Sequence, residues 1–307
     1  MVQQQAVELL PSSVTAIERG DSHGLRRALQ GLRPVPDVDL LHGLDVDLPL
    51  VANCPTVSTV HDLSVFDTPW AFSRYRSAGE RRLLSRSIRK ADELIAVSAF
   101  TAERIDHHFA RSATVIPLAP RSNQTPIEPG AVDAVRRKHQ LPERFVLQLA
   151  SIEPRKDVEL LADACAKLDI PLVLAGGHNR RSKVPSTAHH LGYVDDTEVD
   201  ALLDAADIVA YISRYEGFGL PPLEAMARGR AVVASAVGAL PEVAADGAEL
   251  VPVGAGPELQ RILEDLWNDC DRRHELATRG QQQAAALTWN KTAAATLDVY
   301  RKLGLRL

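Results

Sequence analysis

Short apolar runs rich in β-branched residues alternate with helical patterns along most of the chain, which is typical of βαβ units and parallel sheets. In the first third, the pattern predicts strands over Val38–Leu41, Thr56–Val60, Glu93–Val97 and Thr114–Ile116. Between these strands it predicts helices over Gly79–Lys90 and Thr101–Phe109, the latter capped by Ser98.

The alternation stops at residues 117–129, where the sequence PLAPRSNQTPIEP contains four prolines. Proline fixes φ and lacks a backbone donor, so this stretch predicts an extended link between two domains. We place a first domain at 1–121 and a second, ligand-binding domain at 122–288. Residues 289–307 are expected to form a helix that packs back on the first domain.

A second α/β series follows the link. It predicts strands over Phe145–Ala150, Leu172–Ala175, Leu191–Val194, Ile208–Ile212 and Ala231–Ser235. It predicts helices over Val158–Lys167, Glu198–Ala205 and Pro222–Ala227, and a helical tail from Glu258 with Trp267 and Trp289 as packing anchors. The whole pattern therefore predicts two doubly wound, Rossmann-like α/β domains that face each other across a cleft.

Composition narrows the class of protein. The 307 residues carry a net charge of −5, and 45% are hydrophobic and 24% charged, which is ordinary for a soluble globular protein. These values exclude a disordered chain and argue against a nucleic-acid binder, which would be basic. Three widely separated cysteines, an N-terminus unlike a signal peptide and short apolar runs favour a cytoplasmic protein.

Candidate chemistry lies in the loops after the predicted strands, because the carboxyl ends of parallel strands bind ligands. His61 follows the strand that ends at Val60; it is either a structural histidine or a donor to a sugar hydroxyl. Arg155 and Lys156 precede a helix, where backbone N–H groups and the helix dipole favour a phosphate.

The stretch from Tyr215 to Glu224 (YEGFGLPPLE) is the most informative. Gly217 and Gly219 allow a close approach of the backbone to a ligand, and the following prolines suit a helix start. Seven residues separate Glu216 in the loop from Glu224 in the first helical turn, so one carboxylate is available to hydroxyls of a sugar and the other to those of a ribose. Taken singly, Glu216 is also explained as a solvated loop acid and Glu224 as an acid that complements the helix dipole.

These segments resemble the retaining nucleotide-sugar glycosyltransferases of family 4, which have the two-domain GT-B fold. EPRKD at 153–157 is similar to the phosphate-binding segment of that family, and residues 216–235 resemble its Glu-x7-Glu signature. Residues 191–213 and 239–251 are similar to donor-side segments, and residues 60–63 and 96–105 to elements of its first domain. The likeness runs from about Val38 to Leu303.

The resemblance implies a role for each matching residue. His61, Arg155, Lys156 and Glu216 would be catalytic: His61 and Glu216 would contact the transferred sugar, and the two cations would bind the donor diphosphate. Val194, Gly217, Phe218, Gly219, Leu220 and Glu224 would bind the donor, with Val194 at the base and Glu224 at the ribose. The family generally needs no metal and no cofactor, so the expected ligands are a UDP-, GDP- or dTDP-sugar and an acceptor hydroxyl.

The chain departs from the family in two places. Ala150 and Ser151 stand where the family usually has glycine, and only Gly20, Gly24 and Gly31 precede Val38, without the family's glycine-rich first turn. The first domain is therefore short for the family, and Gly20–Gly24 is an alternative to the missing turn. Two alternatives to a mannosyltransferase-like enzyme remain. One is a non-catalytic nucleotide-sugar-binding protein that needs a partner, and the other is a GT-B-like sugar-nucleotide isomerase.

Residues 74–90 contain seven cations and one acid around an apolar stripe. A solvated face of a packed helix explains the pattern, and so does peripheral contact with an anionic membrane at its inner face. A docking patch for an anionic acceptor is the third interpretation. The acceptor itself is a glycan, a lipid-linked saccharide or a small molecule.

Overall fold

The computed structural model describes residues 7–11, 14, 37–44, 48–49, 51–121, 127–178 and 182–305. The described residues form two compact units. The first unit contains those of 1–119 and 288–307, and the second unit contains those of 120–287. The proposed substitute turn at Gly20–Gly24 and part of the proline-rich link lie outside the described residues.

The described strands and helices follow one another as in a chain of βαβ units. The strands are β1 Leu41–Gly43, β2 Thr56–Val60, β3 Glu93–Ala96, β4 Thr114–Val115, β5 Val146–Leu149, β6 Leu172–Ala175, β7 Ala188–Gly192, β8 Ile208–Tyr211, β9 Ala231–Ser235 and β10 Glu249–Val251. The helices are α1 Ser64–Asp67, α2 Arg74–Lys90, α3 Ala99–Phe109, α4 Ala131–His139, α5 Val158–Lys167, α6 Val199–Ala205, α7 Leu220–Ala227, α8 Leu240–Ala244, α9 Gly256–Asn268, α10 Cys270–Ala285 and α11 Trp289–Lys302.

The first unit is a four-stranded parallel sheet in the order β1-β2-β3-β4. Alternate residues of the strands point to opposite faces. Leu94 and Ala96 of β3 pack with residues of α2 and α3, such as Ile88 and Ile105. Ile95 instead packs on the other face with Val299 of α11. Both faces of the sheet are thus covered, as a parallel sheet requires.

The second unit is a six-stranded parallel sheet in the order β10-β9-β8-β5-β6-β7. Its strands β6, β8 and β9 are nearly continuous apolar runs because helices cover the sheet. One buried cluster joins Val146 and Ile208 of the sheet to Leu161 of α5 and Leu263 of α9. The prediction of an α/β protein with parallel sheets is confirmed.

Three predicted elements are wrong in their bounds. The first strand begins at Leu41, not Val38, because its pairing with β2 starts with Leu41 beside Thr56. The strand predicted over Leu191–Val194 is β7, which ends at Gly192 because a φ of 71° there breaks the extended chain. The helix predicted from Gly79 begins at Arg74, where Ser73 caps it.

The other predicted strands and helices are present, with ends moved by one or two residues at most. Trp289 is buried and Trp267 packs against the core of the second unit, as expected of anchors. Among the described helices, none combines the length and the apolar composition that crossing a bilayer requires.

Candidate functional site

The second unit has a topological switch point between β5 and β8. The chain runs from β5 outward through β6 and β7, then returns to pair β8 with the other side of β5. Ligands bind such sheets at the carboxyl ends of the two strands where the order reverses. The loop with Arg155 and Lys156 follows β5, and the loop with Glu216 follows β8, so both sequence-predicted loops leave the sheet at this point.

Hydrogen bonds tie the two loops together. The carbonyl oxygen of Arg155 accepts from the backbone N–H of Arg214 at 2.7 Å and from the hydroxyl of Ser213 at 3.0 Å. The backbone N–H of Ser213 in turn donates to the hydroxyl of Ser235, at the end of β9, at 2.9 Å. Three strand ends are therefore locked together, which holds the loops in a fixed relation.

Lys156 and Glu216 meet inside this frame. The ammonium of Lys156 donates to Glu216 Oε1 and to the hydroxyl of Tyr211, at the end of β8. The same ammonium lies 4.2 Å from the centre of the Tyr211 ring, in cation–π contact. Lys156, Tyr211 and Glu216 are all buried, with 5%, 4% and 6% of their surfaces exposed.

Burial decides the electrostatics of this trio. Desolvation lowers the pKa of Lys156, and the Glu216 carboxylate opposes that shift. Burial also raises the pKa of Tyr211 well above its usual value, which keeps the phenol protonated. Removal of one partner of a buried charge pair strongly destabilises the protein, because the other charge stays buried without a counterion. Lys156 and Glu216 therefore depend on each other.

Arg155 is more exposed than Lys156 and lies beside the same carboxylate, that of Glu216. Its Nη1 lies 3.6 Å from Glu216 Oε1 and donates to the carbonyl of Tyr215 at 3.3 Å, while its Nε donates to Glu153 at 3.1 Å. Glu216 thus has two cations on one oxygen. An anionic ligand would meet the positive charge of Arg155 before that of Lys156.

Two glycines allow the backbone to close around the site. A Cβ on Gly238 would lie 2.1 Å from the carbonyl oxygen of Glu216, and a Cβ on Gly176 would lie 2.2 Å from that of Ala150. Both glycines also have positive φ, at 58° and 142°. The loops after β6 and β9 can therefore lie directly against the loops that carry the charged residues.

The segment from Gly217 to Leu220 leads from Glu216 into α7. Gly217 and Phe218 are buried, and Gly219 precedes the first helical residue, Leu220, with a φ of 99°. A Cβ on Gly219 would lie 2.4 Å from the Leu240 side chain, which would have to move to admit it. The expected glycine turn before a helix is confirmed.

Glu224 lies on α7 and is bound by a cation from the proline-rich link. Arg121 Nε donates to Glu224 Oε1 at 2.8 Å, and Arg121 Nη2 donates to Oε2 at 3.2 Å. Burial raises the pKa of Glu224 while Arg121 opposes the rise.

Val194, the residue expected to contact the nucleotide base, is buried just beyond β7, next to the exposed Tyr193.

His61 belongs to the first unit, where it follows β2 as predicted. Its Nε2 lies 2.9 Å from the carbonyl oxygen of Leu44. The neighbouring Asp62 carboxylate accepts from the backbone N–H of Ser64 at 2.8 Å and so supports the start of α1. The structure brings together Arg155, Lys156 and Glu216; it places His61 in the other unit.

Sequence reasoning missed Tyr211 and Arg121. Tyr211 ends a buried strand at the switch point, and a polar tip at such a position was a signal that could have been used. Arg121 gave no signal, because its partner Glu224 is 103 residues away in sequence and the link around it predicts only an extended chain.

Family models match both halves of the chain. The model for glycosyl transferases group 1 matches residues 132–283, and the model for glycosyltransferase family 4 matches residues 10–119. The first match covers most of the second unit and contains every proposed site residue of that unit. Both matches are to models of glycosyltransferases.

Relatives agree with that class. The chain is 33% identical over 300 residues to O-antigen chain mannosyltransferase B of Escherichia coli, with 91% of this chain and 78% of that protein covered. It is 30% identical to the MMP α-(1→4)-mannosyltransferase of Mycolicibacterium hassiacum, with 96% of this chain and 78% of that protein covered. The chain therefore belongs to the family 4 glycosyltransferases.

A solved structure shows the same fold at lower identity. HepE from Anabaena, crystallised in complex with UDP-glucose, superposes with a TM-score of 0.71 at 23% identity, and the match covers 85% of this chain and 79% of HepE. The expected family and GT-B fold are confirmed, and the protein is an enzyme that transfers a sugar.

Proposed function

We propose that the chain is a retaining glycosyltransferase that moves a sugar from a nucleotide diphosphate donor to an acceptor hydroxyl without a metal ion. The meeting of Lys156, Arg155 and Glu216 at the β5–β8 switch point carries this proposal. Positive charge and a carboxylate side by side fit the two ends of the bond that breaks, a diphosphate and a sugar. The crystal complex of HepE with UDP-glucose supports a donor of this class.

Each site residue then has a role in the reaction. Arg155 and Lys156 stabilise the negative charge that develops on the diphosphate as the bond from the anomeric carbon to the phosphate oxygen breaks. Glu216 accepts hydrogen bonds from hydroxyls of the transferred sugar. His61 is the catalytic residue that we assign from the first unit, as a donor to the sugar.

Retention of configuration follows from attack on the same face of the sugar. The acceptor oxygen forms its bond to the anomeric carbon where the phosphate leaves, through an oxocarbenium-like transition state. The acceptor proton passes to an oxygen of the departing phosphate, so no protein base is needed. Preorganised charge supplies most of the acceleration in such a scheme.

The donor contacts complete the proposal. Glu224 binds the ribose, the backbone of Gly217, Phe218, Gly219 and Leu220 binds sugar and phosphate, and Val194 contacts the base. Mannose is the first sugar to test, because two relatives have mannosyltransferase names. A nucleotide sugar is then a co-substrate, and the enzyme needs no cofactor.

A thermal-shift screen tests the donor. UDP, GDP, ADP and dTDP are each added to the purified protein, with and without EDTA. A ligand at 100 times its Kd stabilises a protein by about 2.7 kcal/mol, which raises Tm by several degrees. We expect one nucleotide to raise Tm equally with and without EDTA; a rise that EDTA abolishes would contradict metal independence, and no rise with any nucleotide would contradict donor binding.

We also propose that this enzyme is cytoplasmic and contacts the inner face of the membrane. Arg74 and Arg82 lie two turns apart on α2 and are exposed, next to Tyr75, which is 94% exposed, and Trp70, which is 54% exposed. Aromatic rings and arginines together suit the boundary between lipid and water. Other cations of α2 contact protein groups instead, such as Arg86 at the Leu48 carbonyl.

Sedimentation with vesicles tests this contact. We expect the protein to sediment with phosphatidylglycerol vesicles and not with phosphatidylcholine vesicles, and the double variant Arg74→Glu/Arg82→Glu to lose binding. Arg261→Glu on α9 is the matched exposed control. Equal sedimentation of the wild type with both lipids, or of both variants with the anionic lipid, would refute a contact through α2.

A further inference from the structure

The carboxylate of Glu224 is buried, and one cation contacts both of its oxygens. Its side chain is 9% exposed, and both of its oxygens accept hydrogen bonds from the guanidinium of Arg121. Two parallel bonds from a planar fork fix the position and the plane of a carboxylate better than a single bond does. The orientation of Glu224 is therefore set by a residue of the link, not by its own helix.

The acidic residues around the Arg121–Glu224 pair explain why Glu224 needs a cation beside it. Asp200 on α6 and Asp196 before it act on Glu224 and, like burial, raise its pKa. Arg228, the C-cap residue of α7, pairs with Asp204 at 2.7 Å and lies 3.6 Å from Asp200. Arg121 is the group that opposes the rise in the pKa of Glu224 by direct contact.

A carboxylate oxygen has about two acceptor positions. Arg121 occupies one on each oxygen of Glu224, which leaves a position on each oxygen for another donor. The two hydroxyls of a ribose form such a pair of donors. An ionised, fixed carboxylate accepts both bonds, whereas a protonated carboxyl group has a donor of its own on one oxygen.

We propose that Arg121 is the positioning residue of the nucleotide site: its two hydrogen bonds to Glu224 aim both oxygens of that carboxylate at the ribose hydroxyls of the donor. Arg121 contacts Glu224 and not the nucleotide itself. This inference rests on the proposed function, since it takes Glu224 as the ribose ligand.

Calorimetric titration of Arg121 variants tests the proposal. The probes are UDP and GDP, and the 2′,3′-dideoxy form of each, which lacks both ribose hydroxyls. We expect Arg121→Gln to weaken binding of the ribonucleotide about tenfold, the size of a lost hydrogen bond to a charged group, and to leave the dideoxy form unchanged. Arg121→Lys keeps the charge and should restore part of the loss.

The matched control is Arg144→Gln. Arg144 is also partly exposed and doubly bonded, to Asp207 at 3.0 Å and to the Trp267 carbonyl at 2.8 Å, but it has no contact with Glu224. We expect this variant to bind both forms of the nucleotide as the wild type does. A general effect of losing a buried arginine contact would show in both variants.

The pH dependence gives a second readout that a purely structural role would not change. Without Arg121, Glu224 holds its proton to higher pH, so the affinity of Arg121→Gln for the ribonucleotide should fall more than that of the wild type when the pH is lowered. The acids that face Glu224, Asp196 and Asp200, are unchanged in both proteins.

The outcomes separate the two proposals. Equal weakening of the ribonucleotide and dideoxy forms by Arg121→Gln, or no weakening of either, would overturn the role of Arg121. If the wild type binds none of UDP, GDP, ADP and dTDP, or if Glu224→Ala binds as the wild type does, the proposed donor site is wrong whatever Arg121 does.

Discussion

At the scale of single residues, the two glutamates differ in what holds them. Glu216 lies against Lys156 and Arg155, where the reacting bond is proposed to be, and Glu224 lies against Arg121. The first carboxylate belongs to a cluster with positive charge on one oxygen, and the second to a bidentate pair. Their removal should therefore affect different steps.

We expect Glu216→Gln to lower kcat with little change in nucleotide affinity, because Glu216 is proposed to contact the sugar and not the nucleotide. Glu224→Ala should raise the Kd for the nucleotide first, because the ribose loses its acceptor. Steady-state transfer assays and calorimetry on both variants check this division. Full turnover in both variants would show that the site is assigned wrongly.

The sequence predicted the position of these residues but not their partners. Lys156, Glu216 and Glu224 were found because loops after parallel strands and glycine turns before helices leave local patterns. The contact of Lys156 with Tyr211 depends on β5 lying beside β8, which is a matter of strand order. A local pattern does not contain strand order, since it records only neighbours along the chain.

At the scale of elements, the loop between β9 and α8 supports the Glu216 loop. The N–H of Ala239 donates to the Glu216 carbonyl at 3.0 Å, and Gly238 has no room for a Cβ against the same carbonyl. Both Gly238 and Glu216 meet here through backbone atoms, so no flexible side chain can move aside to make room for a Cβ. The turn therefore depends on glycine for space as well as for its φ.

We expect Gly238→Ala to destabilise the protein and to reduce transfer, because the Glu216 loop must shift to admit the methyl group. Gly254→Ala is the matched control: its φ of 79° is also positive, but nothing lies within 4 Å of the added Cβ. That variant should lose only the roughly 1–2 kcal/mol of a left-handed residue. Urea unfolding measures both; equal losses would mean that the close contact adds nothing.

The bounds of elements show where local patterns are weakest. The helix α2 begins at Arg74 because the side chain of Ser73 accepts from Arg76 N–H, whereas the prediction began at the poor helix former Gly79. The edge strand β7 was misplaced because its register with β6 decides its length. Pairing and capping fix ends that propensity leaves open.

At the scale of the whole molecule, the first unit is built from both ends of the described chain. In this unit α11 covers the sheet with Val299 and Tyr300, against Val57 and Ile95. His42 of β1 joins this helix to the sheet: its Nδ1 lies 2.8 Å from the Tyr300 hydroxyl and its Nε2 lies 2.8 Å from the Thr59 hydroxyl.

This junction predicts a dependence of stability on pH. Burial, aided by His61, lowers the pKa of His42 from 6.5 to about 3 in the folded protein. Below about pH 6.5 the unfolded chain binds a proton that folded His42 does not, so the free energy of unfolding falls as the pH falls from about 6.5 toward 3. We expect His42 to account for about 2 kcal/mol of loss between pH 7 and pH 5.

Urea unfolding of His42→Gln at both pH values checks this expectation. Glutamine can bond to both hydroxyls but does not titrate, so the variant should lose less stability than the wild type on acidification. An equal loss in the two proteins would assign the effect to other groups.

The division of the first unit between the two ends of the chain also has a consequence during translation. Strands β1–β4 leave the ribosome before residues 120–287, and α11 follows them. At the usual speed of synthesis this interval lasts on the order of ten seconds. During that time the second unit can fold, while the sheet face of Val57 and Ile95 lacks the cover of α11 and is open to chaperones.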